Sequence, residues 1–393
     1  MGKKRIIVII IAIIVYVVSA GISYSVFSGN SLLSTAPPPP TIEESAKDND
    51  YEAVAFDQSL PKTEVCPLSG VKYSKQQKAW WDKHRPLGVM IENHTEARPQ
   101  SGLSFADVIY EAVAEGGITR LLVVFHCQDA GIIGPVRSAR TYFVDFISEY
   151  SEYPLYAHVG GANTDGPADA IGQIGTYGWR FYNDLDQFGV PYPIYKQIGS
   201  RNGHEVATEH TMYSNTSRLW DYAAKKRDIA YKDKDGNAWD ESFVPYEYKE
   251  DAPASDRPAA QIVNVKYWGG FDDFFVDWTY NKESNAYLRK NGGTSHMDRN
   301  TDKQLQVKNV VVLLMQESRA NDGYENNLHL IYKDKGTGKA IIFMDGKEIK
   351  GTWKKDKRTS RTQLFASSGS KIELNPGLTW FHILPLEGVV EAK

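Results

Sequence analysis

The sequence predicts an α/β N-terminal domain followed by a mostly-β C-terminal domain, behind one N-terminal transmembrane helix. Three observations lead to this fold class. Apolar residues concentrate at the extreme N-terminus, strand and helix patterns alternate over residues 65–225, and strand patterns separated by tight turns fill residues 259–393. A chain of 393 residues is long enough for two such domains with connecting segments.

The overall composition is that of a globular protein with nearly balanced charge. Hydrophobic residues make up 41% and charged residues 24% of the chain, which excludes a disordered or fibrous protein. The chain has 45 basic and 49 acidic residues, a net charge of −4, whereas nucleic-acid-binding proteins usually carry a basic surplus. We therefore expect no nucleic-acid partner.

Residues 1–30 are predicted to form a short basic cytoplasmic stub and a transmembrane anchor. Lys3-Lys4-Arg5 precedes an apolar stretch over residues 6–27 that contains no acid or base, and about 20 such residues cross a bilayer as a helix. The basic cluster predicts a cytoplasmic N-terminus, so the rest of the chain would lie outside a plasma membrane that it crosses once. A signal peptide cleaved near Val18-Ser19-Ala20 is the main alternative, and a helix buried in a soluble protein is the weakest.

Residues 31–64 form a predicted linker, rich in proline and then in acidic residues. Four prolines at positions 37–40 favour an extended spacer, and the polar run that follows has little to bury. Both leading interpretations of the N-terminus export the chain, which would place Cys66 and Cys127 in an oxidising compartment. The sequence leaves open whether these two cysteines form a disulfide.

Residues 65–225 alternate between strand and helix patterns, which is typical of a layered α/β domain. Residues 118–125 are a continuous apolar run, as expected for a central strand covered on both faces. After the turn at Gly134-Pro135, apolar residues at helical spacing predict a helix that begins near Val136 or Arg137. Further strands are predicted over residues 107–113 and 154–159, and a further helix over residues 167–174.

Residues 226–258 are charged and rich in turns, and are predicted to form a second linker. Beyond it, β-branched and aromatic runs alternate with turns such as Asp345-Gly346, so residues 259–393 are predicted to be mostly β. The predicted strands cover residues 262–268, 274–280, 309–315, 328–332, 340–344 and 380–384.

The segment from Gly134 to Arg140 is the most informative part of the sequence for function. Arg137 and Arg140 are three residues apart and would lie on one face of the first turn of the predicted helix. Because the helix dipole opposes cations there, such a pair requires an acidic partner or a bound anion. We therefore predict an anion site made by Arg120, Arg137 and Arg140. The alternative is that the arginines pair within the fold with Glu111, Glu115 or Asp145.

Other polar residues are candidates to support this site. Glu111 and Glu115 stand at the exit of a predicted strand, where they could act as general acid and base, clamp a cation or neutralise the arginines. His158 ends another predicted strand, and functional residues of open α/β sheets gather at strand ends. His296 and Asp298 form a polar pair in a predicted loop, either catalytic or simply hydrogen-bonded.

Two matches to metal-binding motifs are incomplete. His204-Glu205 begins like a zinc-protease helix, but Thr208 occupies the position of the second histidine and His210 comes two residues later. Residues 233–244 resemble a calcium loop, yet the glycine is misplaced and the closing glutamate is replaced by valine. We therefore predict neither a metal site nor a cofactor.

Several segments spread over the chain carry a common pattern. They are Asn93, Ala97-Arg98-Pro99-Gln100-Ser101-Gly102-Leu103, Glu115-Gly116-Gly117-Ile118-Thr119-Arg120, Gly134-Pro135-Val136-Arg137-Ser138-Ala139-Arg140, His296 with Asp298, Gly351-Thr352-Trp353 and Pro376-Gly377-Leu378-Thr379-Trp380. Together they resemble the YerB-like family of bacterial envelope proteins, which are often lipoproteins and are classed as a domain of unknown function. The resemblance covers residues 66–390, implies a two-part extracytoplasmic protein, and adds Asn93 and Arg98 to the residues that could support the arginine site.

The chain departs from this family in two places. No cysteine lies near residues 18–30, where a lipid-modified relative would close its signal, so the hydrophobic segment itself is expected to be the anchor. Relatives tend to show Pro-His before an Asn-x-Tyr turn, whereas this chain has Glu209-His210-Thr211-Met212-Tyr213, which leaves any role of His210 open.

A second similarity concerns only the order of elements. An apolar strand, a turn, an arginine-bearing segment and a strand that ends in two glycines follow one another as in LytR-CpsA-Psr proteins, which hold the pyrophosphate of lipid-linked glycans with arginines. By analogy, Arg120, Arg137 and Arg140 would bind an anionic cell-wall glycan or a lipid-linked precursor.

Two other functions stay open at this stage. One is a non-catalytic scaffold for cell-wall synthesis or division proteins, in which the polar clusters are purely structural. The other is an enzyme that processes glycan phosphodiesters, which would need a metal or a nucleophile beside the arginines.

Overall fold

Strands dominate the computed structural model, which describes residues 52–199, 201 and 204–393. Four short α-helices occur in this part of the chain, all of them before residue 230, with 7, 7, 7 and 11 residues. They are α1 (Lys75–Trp81), α2 (Thr141–Ile147), α3 (Ala170–Thr176) and α4 (Thr216–Lys226).

The described residues contain no helix that is long and apolar enough to cross a membrane. The transmembrane helix predicted within residues 6–27 lies outside the part of the chain that the structure describes, as does the linker predicted over residues 31–64 up to residue 51.

The described part of the N-terminal half contains ten strands. The strand predicted over residues 118–125 is present with the predicted bounds, and the strand predicted over 154–159 is also present. The strands are β1 (Lys62–Val65), β2 (Lys72–Ser74), β3 (Leu87–Glu92), β4 (Val108–Glu115), β5 (Ile118–Phe125), β6 (Ile132–Ile133), β7 (Leu155–His158), β8 (Asp184–Asp186), β9 (Lys196–Gln197) and β10 (Met212–Asn215).

The C-terminal half is mostly β, which confirms the prediction for this half. Each of the six predicted strands is present, whereas the lysine-rich strand β22 was not predicted. The strands are β11 (Ile262–Lys266), β12 (Val276–Asn281), β13 (Ala286–Asn291), β14 (Thr294–Ser295), β15 (Met297–Asp298), β16 (Lys303–Gln304), β17 (Gln306–Val307), β18 (Asn309–Met315), β19 (Glu317–Arg319), β20 (Leu330–Tyr332), β21 (Gly336–Met344), β22 (Lys347–Lys355), β23 (Gln363–Ala366), β24 (Thr379–Pro385) and β25 (Val389–Ala392).

One ten-stranded sheet runs through both halves of the chain. Its strand order is β23-β22-β21-β18-β24-β4-β5-β3-β7-β8. The two halves meet where β24 lies parallel to β4, with Thr379 opposite Val108 and His382 opposite Glu111. Central strands such as β5 and β18 are buried on both faces, which explains why they are continuous apolar runs in the sequence.

A second sheet, of order β14-β13-β12-β11-β25 with β17 paired to β13, packs against the central one. Trp278 on β12 meets Trp380 on β24 with ring centroids 5.5 Å apart. Both tryptophans are fully buried. The fold is therefore mostly β in both halves, and the helices of the N-terminal half are too few and too short to form complete outer layers.

A tight turn joins β4 to β5 at Gly116-Gly117. Both glycines have positive φ, +56° and +80°, as a two-residue hairpin turn of type I′ requires. A methyl group on Gly117 would also come within 2.2 Å of the Phe271 ring, whereas one on Gly116 would meet nothing within 4 Å. This turn places Glu115 at the end of β4, beside the start of β5.

The helix predicted to begin near Val136 or Arg137 begins instead at Thr141. Residues 134–139 are extended, because Val136 bridges to Ile91 and Ala139 bridges to Gly161 on the other side. The backbone N–H of Arg137 donates to the Met90 carbonyl at 2.9 Å, so it is not available to a helix. The prediction that Arg137 and Arg140 share the first turn of a helix is therefore wrong; Arg140 is the extended residue that precedes α2.

Cys66 and Cys127 form a disulfide, the question that the sequence left open. The two cysteines are 61 residues apart in sequence, and both are fully buried. The bond ties the segment after β1 to the end of β5.

Candidate functional site

The three predicted arginines come together with two glutamates. We call Arg120, Arg137, Arg140, Glu92 and Glu115 the arginine cluster. Arg120 on β5 lies opposite Glu92 on β3, and its Nη2 donates to Glu115 Oε1 at 2.7 Å. Arg140 donates to the other oxygen of Glu115, and Arg137 pairs with Glu92 Oε2. Strand pairing and the extended segment before α2 thus build the cluster from three separate parts of the sequence.

Both glutamates of the cluster are ionised at neutral pH. Burial by itself would raise the pKa of Glu92, but His210, Arg120 and Arg137 lower it to about 2. The pKa of Glu115 is also held below its usual range, because Arg120 and Arg140 outweigh its burial. Three guanidinium groups therefore face two carboxylates, which leaves one positive charge in excess.

The three arginines differ in how far a ligand could reach them. Arg120 and Arg140 are buried and are held by Glu115, which is the internal pairing that the sequence analysis offered as the alternative. The Arg137 side chain is 27% exposed, and it contacts Glu92 through Nε rather than through its terminal nitrogens. Arg137 is thus the most exposed arginine of the cluster, beside Glu115, whose side chain is 25% exposed.

His158 lies behind the cluster and does not face solvent. Its Nε2 lies 2.8 Å from Asp184 Oδ1, and its Nδ1 lies 2.7 Å from the Gly160 carbonyl. Burial lowers the pKa of this histidine, but Asp184 and Asp186 outweigh burial and raise it, which favours the charged ring. The same Gly160 carbonyl accepts the Ala139 N–H at 2.9 Å, so His158 helps to fix the backbone beside Arg137.

Glu111 does not join the arginine cluster, contrary to the prediction. Its Oε2 accepts from Arg289 Nη2 at 2.7 Å and from Trp380 Nε1 at 2.9 Å, and its Oε1 accepts from Thr119 at 2.8 Å. Burial would raise the pKa of Glu111, but Arg289 and His382 lower it. Glu111 is therefore the buried counter-ion of an arginine from the C-terminal half, which the sequence analysis did not single out.

His296 is a buried structural residue. Its Nδ1 lies 2.6 Å from Arg289 Nη1 and its Nε2 lies 2.6 Å from Gln100 Oε1. Because a guanidinium can only donate, Nδ1 accepts and the ring is neutral. Burial and Arg289 hold the pKa of His296 well below its usual range, in agreement with this assignment.

Asp298 does not pair with His296. Its two carboxylate oxygens accept the backbone N–H groups of Gly102 at 3.0 Å and Ser104 at 2.6 Å. The polar pair suggested by the sequence, catalytic or simply hydrogen-bonded, is thus split into two separate ties between the halves of the chain, and neither residue bonds to the three predicted arginines.

Asn93 and Arg98, which the family resemblance added, connect these groups. Asn93 follows Glu92 and donates to Thr119 at 2.7 Å and to Glu111 at 3.3 Å. Arg98 donates to the Asn93 carbonyl at 2.8 Å and to the Asp273 carbonyl at 2.9 Å. Both residues support the backbone that carries Glu92, at the meeting point of the two halves.

Next to the arginine cluster lies a group that the sequence analysis missed. His94, Glu96 and His210 each bring a possible metal-ligand atom to within 4.8 Å of the other two. The rings of His94 and His210 are stacked, with centroids 4.8 Å apart and planes 7° from parallel. The pattern His-x-Glu after a strand was a signal, but its third member is more than 100 residues away in sequence.

A separate cavity of about 490 Å³ lies between α2, α3 and the end of β20. Its lining includes Asp145, Asp334 and Lys335. Burial and the nearby Asp145 raise the pKa of Asp334 to about 7, while Lys335 Nζ lies 2.7 Å from its Oδ1. None of the predicted site residues lines this cavity.

Comparison with known proteins identifies the chain's relatives. The N-terminal domain described as "Protein of unknown function (DUF3048)" matches residues 68–230, and the corresponding C-terminal domain matches residues 263–381. A relative named "Putative lipoprotein YerB", from Bacillus subtilis (strain 168), is 27% identical over 328 residues, which are 81% of this chain and 86% of that protein.

A solved structure has the same fold. The crystal structure of the YerB protein from Bacillus subtilis superposes with a TM-score of 0.68 at 24% identity, and the match covers 84% of this chain and 100% of that chain. The family resemblance seen in the sequence segments is thereby confirmed. This chain belongs to the YerB-like family, and it carries both of the family's domains of unknown function in order.

Proposed function

We propose that this protein is a membrane-associated extracytoplasmic envelope protein that binds an anionic cell-envelope component through the arginine cluster. The name of the Bacillus subtilis relative supports a lipoprotein-like location for the family. The buried Cys66–Cys127 disulfide is consistent with an oxidising compartment. Residues 6–27 would attach this chain to the membrane.

The observation that carries the binding proposal is the excess positive charge at Arg137. Glu115 holds Arg120 and Arg140 in place, so these buried guanidinium groups add a fixed positive field without being the contact themselves. Arg137 contacts Glu92 through Nε, which leaves its two terminal nitrogens to a ligand, and its side chain is 27% exposed. A planar guanidinium with two open nitrogens suits bidentate binding of a phosphate or carboxylate group.

The class of ligand follows from the fact that the excess positive charge is confined to the surroundings of Arg137. The chain has a net charge of −4, so its overall charge does not attract polyanions, and we infer that recognition comes from a locally placed group. A phosphate or carboxylate on a cell-wall glycan, or on its lipid-linked precursor, meets this requirement outside the membrane.

The test is retention on purified cell wall and on vesicles that contain a lipid-linked glycan, using the full chain in detergent micelles. Arg137→Ala should weaken retention by about ten-fold or more, because a charge-assisted bidentate contact is lost. Arg299→Ala is the matched control, since Arg299 is 45% exposed and forms an ion pair with the surface residue Asp302. Equal retention of Arg137→Ala and wild type, with the variant shown to be folded, would overturn the proposal.

A second candidate function, docking of a cell-wall protein, is favoured by one surface. Phe181, Phe188 and Tyr192 are 62%, 79% and 75% exposed within a short segment. Exposed aromatic side chains of this size are characteristic of protein interfaces. Crosslinking in cells distinguishes the two candidates: protein adducts that disappear in Phe188→Ser, with unchanged glycan retention, would favour docking.

A further inference from the structure

We propose that His94, Glu96 and His210 form a binding site for a divalent cation of the zinc type, at the edge of the arginine cluster. The site goes beyond the proposed anion binding, because the three side chains would hold the cation without a bound anion. It also differs from the motif that the sequence suggested, since His204 and Glu205 take no part in it.

The donor set is that of an open zinc site. Two imidazoles and one carboxylate bind zinc in many proteins and leave a fourth position for water or substrate. At zinc–ligand distances of about 2.0–2.1 Å, ligand atoms of a tetrahedral site lie roughly 3.4 Å apart. The three groups here lie within 4.8 Å of one another, so small side-chain rotations would close the site.

Two separate turns of the backbone bring the three ligands together. His94 and Glu96 belong to the single turn that follows β3, where His94 caps the short helix Thr95–Ala97. His210 ends the corresponding turn, Thr208–His210, just before β10. Both turns adjoin strands, which limits their movement.

A second observation is the environment of His210. The residue is buried, and its Nδ1 makes no hydrogen bond. This nitrogen faces Glu92 Oε2 at 3.7 Å, while Nε2 on the opposite side of the ring faces Glu96 Oε2 at 3.8 Å. Metal-bound histidines usually direct their second nitrogen to a carboxylate in this way, which fixes the ring and leaves the other nitrogen to bind the metal.

The site is open to solvent on the side of His94 and Glu96. His94 is half-buried, and the Glu96 side chain is 50% exposed. His94 Nδ1 accepts the Glu96 backbone N–H at 3.3 Å, a long bond whose loss on a change of tautomer costs little. An incoming ion can therefore reach the ligand atoms from solvent on this side.

Glu92 connects this site to the anion contact. Its Oε2 faces both Arg137 and His210 Nδ1, so a cation held by His210 Nε2 would lie on the far side of the imidazole ring from Arg137 and be linked to it through Glu92. The open position of the cation would then be available to water or to an oxygen ligand on the side of Glu96.

The experiment is titration of the full chain in detergent with ZnCl₂ by isothermal calorimetry, in a phosphate-free buffer without any glycan. Co²⁺ is the second probe, because its visible absorption reports imidazole coordination directly. The variants are His94→Ala and Glu96→Gln, both at solvent-accessible positions. Glu209→Gln is the matched control, since Glu209 is an exposed acid next to His210 that lies outside the proposed ligand set.

We expect one zinc ion per chain, weakened by about ten-fold or more in His94→Ala and Glu96→Gln and unchanged in Glu209→Gln. Absence of zinc binding by the wild type at millimolar concentration would overturn the proposal, as would equal binding by all variants. Because no anion is present, this result is independent of whether Arg137 binds an envelope component.

Discussion

Glu111 of the N-terminal half and Arg289 of the C-terminal half form an ion pair of 2.7 Å in which both side chains are fully buried. Arg289 is also enclosed by aromatic rings, with its guanidinium carbon 4.5 Å from the centroid of Trp380 and 5.6 Å from that of Trp278. Each of these two residues therefore has its oppositely charged partner in the other half of the chain. This ion pair forms only when the two halves are joined in the correct arrangement.

Removing one partner of this pair should destabilise the protein strongly. Glu111→Gln leaves the Arg289 charge buried without a counter-ion, which costs about 3–5 kcal/mol. The measurement is the free energy of unfolding in urea. Asp221→Asn is the control, since its partner Lys225 is exposed and such pairs contribute less than about 1 kcal/mol.

A double variant tests the cause of this effect. Glu111→Gln combined with Arg289→Met removes the unpaired charge together with its partner, so part of the lost stability should return. If Glu111→Gln and Asp221→Asn cost the same, the buried pair does not have the role assigned to it.

The disulfide should contribute substantially to stability. Cross-linking residues that are 61 positions apart restricts the unfolded chain and contributes about 4 kcal/mol on the loop-entropy estimate. We expect the Cys66→Ala/Cys127→Ala variant to unfold at a correspondingly lower urea concentration than the oxidised wild type. Treating the wild type with a reductant in denaturant should reproduce the loss, and an unchanged midpoint in both cases would contradict the prediction.

The two glycines of the β4–β5 turn should respond differently to the same substitution. Gly116→Ala costs only the strain of a positive φ, roughly 1–2 kcal/mol, because nothing lies within 4 Å of the added methyl group. Gly117→Ala carries the same strain and also displaces the Phe271 ring, so its total cost should be roughly 3 kcal/mol. Thermal unfolding of the two variants provides the comparison, and equal losses would show that Phe271 moves freely.

Asp334 should make the stability depend on pH. Its pKa is raised to about 7 in the folded protein by burial and by Asp145, whereas its ordinary value is 3.8. Between these values the unfolded chain has lost this proton and the folded chain keeps it, so the contribution of this group to stability falls as the pH rises. Asp334→Asn abolishes that fall and should be more stable than wild type at pH 8, by on the order of 1 kcal/mol.

The comparison needs two pH values. The advantage of Asp334→Asn over wild type should shrink at pH 5, where Asp334 is protonated in the folded protein and resembles asparagine. Calorimetric unfolding at pH 5 and pH 8 measures the difference in stability between Asp334→Asn and the wild type. An advantage that is equal at both values would mean that Asp334 is ionised throughout, held in that state by Lys335.

Elements that depend on local pattern could be predicted from the sequence. Strands β5 and β18 have the predicted bounds because a strand buried on both faces is mostly apolar, and the polar residues Thr119, Arg120 and Asn309 stand near their starts. The turn at Gly116-Gly117 is similarly determined by a local conformation that only glycine adopts easily. Lysine-rich β22 was missed because its alternating exposure leaves only a few apolar residues in the sequence.

The candidate site depended on pairings that no local pattern reveals. The sequence identified Arg120, Arg137 and Arg140 correctly as neighbours, but the helix that was thought to hold Arg137 and Arg140 begins only after them. Glu92 was not singled out, because its position opposite Arg120 follows from the register of β3 and β5. His94 and His210 meet only because β3 and β10 flank the same extended segment, which bridges to Ile91 and hydrogen-bonds to Met212.

The position of β24 in the central sheet has a consequence for how the protein is made. This strand follows all other strands of the sheet in sequence, yet it lies between β18 and β4 in the middle of the sheet. During synthesis, β4 therefore waits for its parallel neighbour until residues 379–385 have emerged, and its free edge can pair with other strands in the meantime. A chain that ends before residue 379 would keep that edge permanently, so we expect truncated products to aggregate rather than to fold as separate halves.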